Sequence, residues 1–139
     1  MRFKKIGNKI IVRIDKGEEI VESLKVICKR NKVKLGKISG IGATDKVKIG
    51  FFDIEEKEYH PKEMDKCFEI TSLLGNVSTK EDEVYLHLHI NMADKDNNTM
   101  GGHLNYAYVS ATFEGFIDII DGELEREFDE DTGINLFKF

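Results

Sequence analysis

The chain has 139 residues, of which 40% are hydrophobic and 34% are charged, a balance typical of one folded domain and unlike that of a disordered segment. Its net charge of −5 argues against a protein specialised for the phosphate backbone, because such proteins neutralise phosphates with lysine and arginine. No apolar run has the length of a membrane span or of a signal peptide, so we expect no membrane contact and a cytoplasmic location.

The predicted elements are one helix and a series of strands. The run KIIVRI, residues 9–14, is rich in β-branched residues and predicts a strand. Residues 17–31 predict an amphipathic helix with acids in its first turn and bases in its last. Its apolar positions are Ile20, Val21, Leu24, Ile27 and Cys28. Short β-rich runs separated by Gly, Asn and Asp follow, so we predict a single α+β domain over residues 1–139, built on a mainly antiparallel sheet.

Positive charge is concentrated in the first third of the chain. Residues 1–48 carry a net charge of +9, whereas residues 49–139 carry −14. A basic cluster spans the end of the predicted helix and the residues after it, and consists of Lys25, Lys29, Arg30, Lys32, Lys34 and Lys37. One interpretation is a patch for phosphate or nucleic acid. The simpler interpretation is that these cations complement the helix dipole and solvate the helix end.

Two other features indicate packing rather than chemistry. The stretch SGIGAT lacks the third glycine of a dinucleotide loop, so we expect Gly40 and Gly42 to let a strand bend or another backbone approach. Cys28 and Cys67 match no metal or redox spacing, and we expect both to be buried thiols rather than a disulfide.

Three of the four histidines lie in LHLHINMADKDNNTMGGHL, residues 86–104. Because side chains alternate faces along a strand, His87 and His89 share one face, with Cα atoms about 6 to 7 Å apart. The Asp- and Asn-rich connection that follows predicts a turn, and the turn would return His103 beside them. Gly101 and Gly102 then supply unusual backbone angles or a close approach of backbone to a ligand.

Three neutral imidazoles form a ligand set for a divalent metal, with zinc as the first choice and nickel, copper or iron as alternatives. Such a site leaves one position for water or substrate. The alternative is that His87, His89 and His103 form a polar surface cluster that binds no metal.

Five stretches occur in the order of the motifs of the PPC domain family, which plants and prokaryotes share. They are VRIDKGEEIVESLK, GKISGIGATDKVKIGFFD, CFEITSLLGNVS, LHLHINMADKDNNTMGGHL and LEREFDEDTGINLF. The chain resembles this family over nearly its whole length. The resemblance implies an antiparallel α+β domain, a homotrimer, and a metal on the histidines as in some prokaryotic members. It also marks Arg13 and Glu69 as pocket or interface residues.

The resemblance brings DNA as a possible partner, because prokaryotic relatives are commonly described as DNA-binding and plant members carry AT-hook segments. This sequence has no Arg-Gly-Arg-Pro core of that kind.

Two function classes remain open. One is a ligand- or partner-binding regulatory module with a three-histidine metal site. The other is a metal-dependent hydrolase or lyase that uses a water on the three histidines against a small polar substrate, helped by Glu69, Arg13 or Tyr106.

Overall fold

The computed structural model describes all 139 residues and contains one helix among nine strands. The helix is α1 (Ile20–Arg30). The strands are β1 (Arg2–Ile6), β2 (Lys9–Asp15), β3 (Gly36–Asp53), β4 (Glu58–Met64), β5 (Phe68–Lys80), β6 (Glu83–Ala93), β7 (Thr99–Ile119), β8 (Arg126–Asp129) and β9 (Ile134–Phe137). The predicted α+β class with a mainly antiparallel sheet is confirmed.

The main sheet has the strand order β1-β2-β7-β6-β5-β3-β4, and every pairing in it is antiparallel. Strand β7 is 21 residues long and pairs with β6 near its start, with β2 near its end and with β3 along most of its length. The pairings β3–β5, β5–β6, β6–β7 and β7–β3 therefore form a closed circuit around the core. Strands β8 and β9 form a separate two-stranded sheet, which we call the C-terminal hairpin.

The helix begins three residues later than the sequence predicts and ends one residue earlier. The reason is a side-chain cap. The carboxylate of Glu19 accepts hydrogen bonds from the backbone N–H groups of Val21 and Glu22, which have no partner inside the helix. The same carboxylate accepts a bond from the backbone N–H of Ala107 in β7, so the cap also fixes the helix to the sheet.

One hydrophobic core of 24 buried residues lies between the helix and the sheet. Along β2, Ile10, Val12 and Ile14 are buried while the residues between them face outward, as alternation predicts. Each large aliphatic side chain buried in this way stabilises the fold by about 1.5–3 kcal/mol relative to an exposed one. The one helix is much too short to cross a membrane.

The glycines of SGIGAT have the packing role that the sequence predicts. A Cβ on Gly40 would lie 2.3 Å from the ring of Phe113, and one on Gly42 would lie 2.3 Å from the carbonyl oxygen of Thr112. The β3–β5 ladder also shifts register between these two glycines, which marks a bulge.

The prediction for the two cysteines is confirmed for one of them. Both thiols are free, and Cys28 is buried in the core, where burial raises the pKa of its thiol to about 12. Cys67 is exposed, and the expectation that it is buried was wrong. It lies in the turn just before β5, where no strand alternation directs its side chain inward.

Candidate metal centre

The three histidines come from two adjacent strands. Along β6, Leu88 and Ile90 are buried in the core, whereas His87 and His89 lie on the opposite, outward face. His103 of β7 is the direct cross-strand partner of His89. The alternation and the returning turn that the sequence predicts therefore bring all three rings together.

The turn between β6 and β7 is closed by Asp94. Its carboxylate accepts hydrogen bonds from the backbone N–H groups of Asp96 and Asn98, at 3.0 Å each. Asn97 takes a left-handed conformation with φ of 61°, which asparagine tolerates better than most residues. The Asp- and Asn-rich composition of this segment thus sets the register that places His103 opposite His89.

The distances between the rings suit one small ion. Ring centroids lie 5.1 Å apart for His87 and His89, 5.3 Å for His87 and His103, and 5.5 Å for His89 and His103. Two nitrogens held by a tetrahedral zinc at 2.0–2.1 Å lie about 3.3 Å apart. The Nε2 atoms of His87 and His89 are separated by 3.2 Å, and ring nitrogens of all three residues lie within 4.8 Å of one another. The donor set fits a divalent metal such as zinc.

Electrostatics keep two of these imidazoles neutral. Burial, together with the smaller effects of charge on His103, Arg126 and His89, lowers the pKa of His87 to about 4. Burial and the charge of His89 also lower the pKa of His103. A neutral imidazole keeps the lone pair that a metal needs, so His87 and His103 are available as ligands at neutral pH.

The histidines form one side of a cleft of about 590 Å³. It is lined by His87, His89, His103, Gly50, Phe51, Phe52, Ile54, Tyr59, Tyr85, Gly101, Gly102, Gly133, Ile134 and Asn135. Aromatic and aliphatic side chains form the other walls, and none of the lining residues is Asp, Glu, Lys or Arg. A concave, largely apolar site with a few convergent polar groups is the usual form of a small-ligand pocket.

Gly101 and Gly102 let β7 pass close to its neighbours beside His103. A Cβ on Gly101 would lie 2.3 Å from the carbonyl oxygen of Ile90 in β6. A Cβ on Gly102 would lie 2.8 Å from the carbonyl oxygen of Gly50 in β3. Both glycines also line the cleft, so they combine close backbone packing with access to the histidines.

Tyr59 is part of the site although its sequence context did not suggest it. Its ring lies against Gly50, where a Cβ would come within 2.1 Å of the ring, and it meets His103 edge-on at 6.1 Å between centroids. The phenol donates a hydrogen bond to Oδ1 of Asn105, and burial raises its pKa, so it stays protonated. This contact depends on the pairing of β4 with β3, which no local motif encodes.

The C-terminal hairpin also contributes to the site in a way the sequence analysis missed. Gly133, Ile134 and Asn135 line the cleft opposite the histidines. The hairpin is held in place by the buried Arg126, whose guanidinium lies over the ring of Tyr85 at 5.0 Å and over that of Phe137 at 4.3 Å. An arginine in a run such as LEREF gives no signal that it will be buried between two rings.

Arg13 and Glu69 lie outside the histidine cleft. Arg13 pairs with Asp15 at 3.0 Å and lines a groove on the outer face of β2. Glu69 lines a shallow depression that it shares with Glu114. Tyr106 is also elsewhere: a hydrogen bond to Glu63 raises the pKa of its phenol to about 12. The structure therefore brings none of the three proposed helpers to the histidines.

Half of the basic cluster is engaged in ion pairs. The pairs are Lys25 with Glu22, Lys29 with Glu83, and Lys34 with Glu123. The remaining members are Arg30, Lys32 and Lys37, none of which is in an ion pair. The cluster is thus a partly neutralised surface at the end of α1.

The fold and the site define a class: an antiparallel α+β domain with an outward three-histidine cleft. The model of the Plants and Prokaryotes Conserved (PCC) domain matches residues 1–121, and the chain belongs to this family. The resemblance to PPC proteins is confirmed. Residues 122–139, which include the C-terminal hairpin, lie beyond the matched region.

Several solved structures resemble this chain. A candidate DNA-binding protein from Bacteroides thetaiotaomicron is 36% identical with a TM-score of 0.97, over 99% of this chain and 96% of that one. A metal-containing protein from Archaeoglobus fulgidus is also 36% identical, with a TM-score of 0.90, and the match covers 100% of this chain and 99% of that one. A PPC protein from Pyrococcus horikoshii is 30% identical, with a TM-score of 0.87, and the match covers 99% of this chain and 95% of that one. No curated protein matches the chain.

Proposed function

We propose that this protein is a metal-dependent binding module in which His87, His89 and His103 hold one divalent ion, preferentially zinc. The observation that carries the proposal is the convergence of three ring nitrogens within 4.8 Å at one side of a cleft. The metal-containing protein from Archaeoglobus fulgidus, which shares this fold and 36% of the sequence, supports it. The ion would act as a Lewis acid, and the cleft would hold a small ligand beside it.

A binding role is favoured over catalysis by the lining of the cleft. A catalytic zinc site needs a placed proton-transfer group, and no Asp or Glu lines this cleft. Glu69 lies in the separate depression with Glu114. The second candidate is a metal-dependent hydrolase or lyase. It is favoured by the open space over the histidines, which leaves room for a substrate.

We further propose that the protein is a homotrimer of cytoplasmic location. An exposed apolar stripe on the outer face of the sheet supports self-association. Ile11 lies opposite Phe116, and Ser39 lies between Phe116 and Leu74. Phe116 is 50% exposed and Leu74 is 52% exposed, so contact with a second copy would bury apolar surface that is now exposed to solvent. The number of subunits, three, is what the family resemblance implies.

DNA is a weaker candidate partner. The similar protein from Bacteroides thetaiotaomicron is described as a candidate DNA-binding protein. In this chain, three cations of the basic cluster are in ion pairs, and the net charge is −5. We propose that any DNA contact is a weak secondary output of the module.

Elemental analysis of tag-free protein purified without chelator tests the metal site. We expect about one zinc or other transition metal per chain, and no metal in the double variant His87→Ala/His89→Ala. His60→Ala is measured in parallel: His60 is exposed outside the cleft and groups with Asp53 and Glu56 as a second possible ligand set, and we expect this variant to keep its metal. The mass of each sample in solution is measured alongside. Wild-type protein that contains no metal and takes up no added zinc contradicts the proposal.

A further inference from the structure

The histidine cleft lacks negative charge. None of its fourteen lining residues is Asp or Glu, although the chain contains 26 acids and is acidic overall. A divalent ion on three neutral imidazoles keeps its full charge, because imidazole ligands neutralise none of it. The proposed metal site would therefore be strongly electropositive, and the charge of the ion would be the largest in the cleft.

Three further cations stand behind the wall that the C-terminal hairpin forms. Arg126 donates a hydrogen bond at 2.8 Å to the carbonyl oxygen of Asn135. Lys80 donates one at 2.8 Å to Oδ1 of the same residue, and Lys57 donates one at 2.7 Å to the carbonyl oxygen of Glu130. None of the three forms an ion pair with a carboxylate. The charge of Arg126 reaches the cleft, because it lowers the pKa of His87, whereas the charge of Lys57 is partly offset by the Asp129 carboxyl, whose pKa it lowers.

The cleft also offers hydrogen-bond donors that the protein does not use. Oδ1 of Asn135 is occupied by Lys80, whereas the amide nitrogen of Asn135 has no acceptor within the protein. Tyr85 also lines the cleft, and the Arg126 guanidinium lies over its ring at 5.0 Å from the ring centroid. Apolar walls from Phe52 and Ile134 complete the enclosure. The lining thus combines positive charge, donors and apolar surface.

We propose that the ligand of this cleft is a small organic carboxylate with an apolar body, and that the C-terminal hairpin selects it. The carboxylate would face the histidines and Asn135, and the apolar body would pack against Phe52 and Ile134. The selecting wall comes from Gly133, Ile134 and Asn135, which lie beyond residues 1–121 that the PCC family model matches. The inference rests on the proposed metal site, which supplies the largest charge.

Three probes with one ring and different charges test the ligand class: benzoate, benzyl alcohol and benzylamine. Each is titrated calorimetrically into zinc-loaded protein, and the visible spectrum of the cobalt-substituted protein reports contact with the metal. We expect benzoate to bind at least about tenfold more tightly than the neutral alcohol, and benzylamine to bind most weakly, because one charge near an uncompensated ion contributes on the order of 1–2 kcal/mol.

Variants at Ile134 test the role of the hairpin. Ile134→Asp places a negative charge in the wall, and Ile134→Asn is its uncharged isostere. We expect Ile134→Asp to weaken benzoate binding at least about tenfold more than Ile134→Asn does. The control is Ile120→Asp, at an exposed position outside the cleft, which we expect to leave benzoate binding unchanged. Zinc content and circular dichroism show that each variant is folded and loaded.

The possible outcomes separate the two proposals. Protein that takes up no zinc overturns the metal site, and this inference falls with it. Zinc-loaded protein that binds benzoate no better than benzyl alcohol overturns the ligand class and leaves the metal site intact. Preferential benzoate binding that Ile134→Asp and Ile134→Asn weaken equally overturns the selecting role of the hairpin.

Discussion

At the scale of single residues, the site depends on the two glycines beside the third histidine. His103 can face His89 only if β7 approaches both β6 and β3 at that level. Gly101 permits the first approach and Gly102 the second, since a Cβ on either would press on a backbone carbonyl oxygen. Neither glycine has a positive φ, so their role is close packing rather than an unusual backbone conformation.

The variant Gly101→Ala tests this role. Its Cβ would meet the carbonyl oxygen of Ile90 at 2.3 Å, so β6 and β7 must separate. We expect the free energy of unfolding to fall by about 1–3 kcal/mol and zinc affinity to fall because His103 moves away from His89. Urea denaturation and competition with a zinc chelator measure the two effects. The control is Thr99→Ala, exposed on the same strand. Unchanged stability and zinc affinity in Gly101→Ala contradict the argument.

At the scale of elements, the sequence predicted those features that depend on neighbouring residues along the chain, such as strand alternation and turns. Alternation along β6 predicted the outward face that His87 and His89 share, and the Asp- and Asn-rich turn predicted the return of His103. The contact of Tyr59 with His103 and the burial of Arg126 could not be predicted in this way. Both depend on how distant strands pair and pack, and no spacing in the sequence encodes that.

The helix start illustrates the same division between local and distant contacts. Helical periodicity indicated the helix, but its first residue is set by the Glu19 carboxylate, which accepts bonds from Val21, Glu22 and the distant Ala107. The sequence predicted that acidic residues lie in the first turn of the helix. It could not predict which of these residues binds β7. A carboxylate that satisfies three backbone donors combines a cap with a tertiary contact.

We expect Glu19→Ala to lower the free energy of unfolding by about 1–3 kcal/mol, because three backbone N–H groups lose their acceptor. The matched control is Glu22→Ala on the same turn. Glu22 makes only a surface ion pair with Lys25 at 3.4 Å, so we expect a change within about 0.5 kcal/mol. Chemical denaturation followed by far-ultraviolet circular dichroism measures both. Equal effects of the two variants would show that neither the helix cap nor the bond to Ala107 stabilises the fold measurably.

At the scale of the whole molecule, apolar surface and charge are distributed on different regions. The apolar stripe crosses the outer face of β2, β7 and β5, whereas the basic cluster lies at the end of α1. The stripe favours contact between copies through burial of hydrocarbon. The cluster favours polyanions only to the extent that its cations are free of carboxylate partners. Assembly and nucleic-acid contact are therefore separable by mutation.

Phe116→Asp tests the proposed assembly. A charge at the centre of the apolar stripe would be buried without a partner in a trimer but remain solvated in a monomer. We expect the mass in solution to fall from that of a trimer to that of a single chain, with the monomer still folded. Sedimentation measures this. Phe128→Asp is the control, because Phe128 is 57% exposed on the C-terminal hairpin, away from the stripe. A Phe116→Asp protein of unchanged mass contradicts the proposed interface.

DNA binding provides a second test at this scale, through its dependence on salt. If DNA contacts the basic cluster, only Arg30, Lys32 and Lys37 are outside ion pairs and able to neutralise phosphates. Each phosphate contact contributes about 0.9 to the slope of log affinity against log salt, so we expect a slope of at most about 3 and no measurable binding at physiological salt.

Fluorescence anisotropy with a labelled duplex across a salt series measures the slope, and the triple variant Arg30→Gln/Lys32→Gln/Lys37→Gln should abolish the low-salt binding. A steep slope with affinity retained at physiological salt would require additional cations. Such a result would mean that the ion pairs of Lys29 with Glu83 and of Lys34 with Glu123 open when DNA binds. The acidic surface of the protein would then face away from the DNA. In that case DNA would be a principal partner of the module.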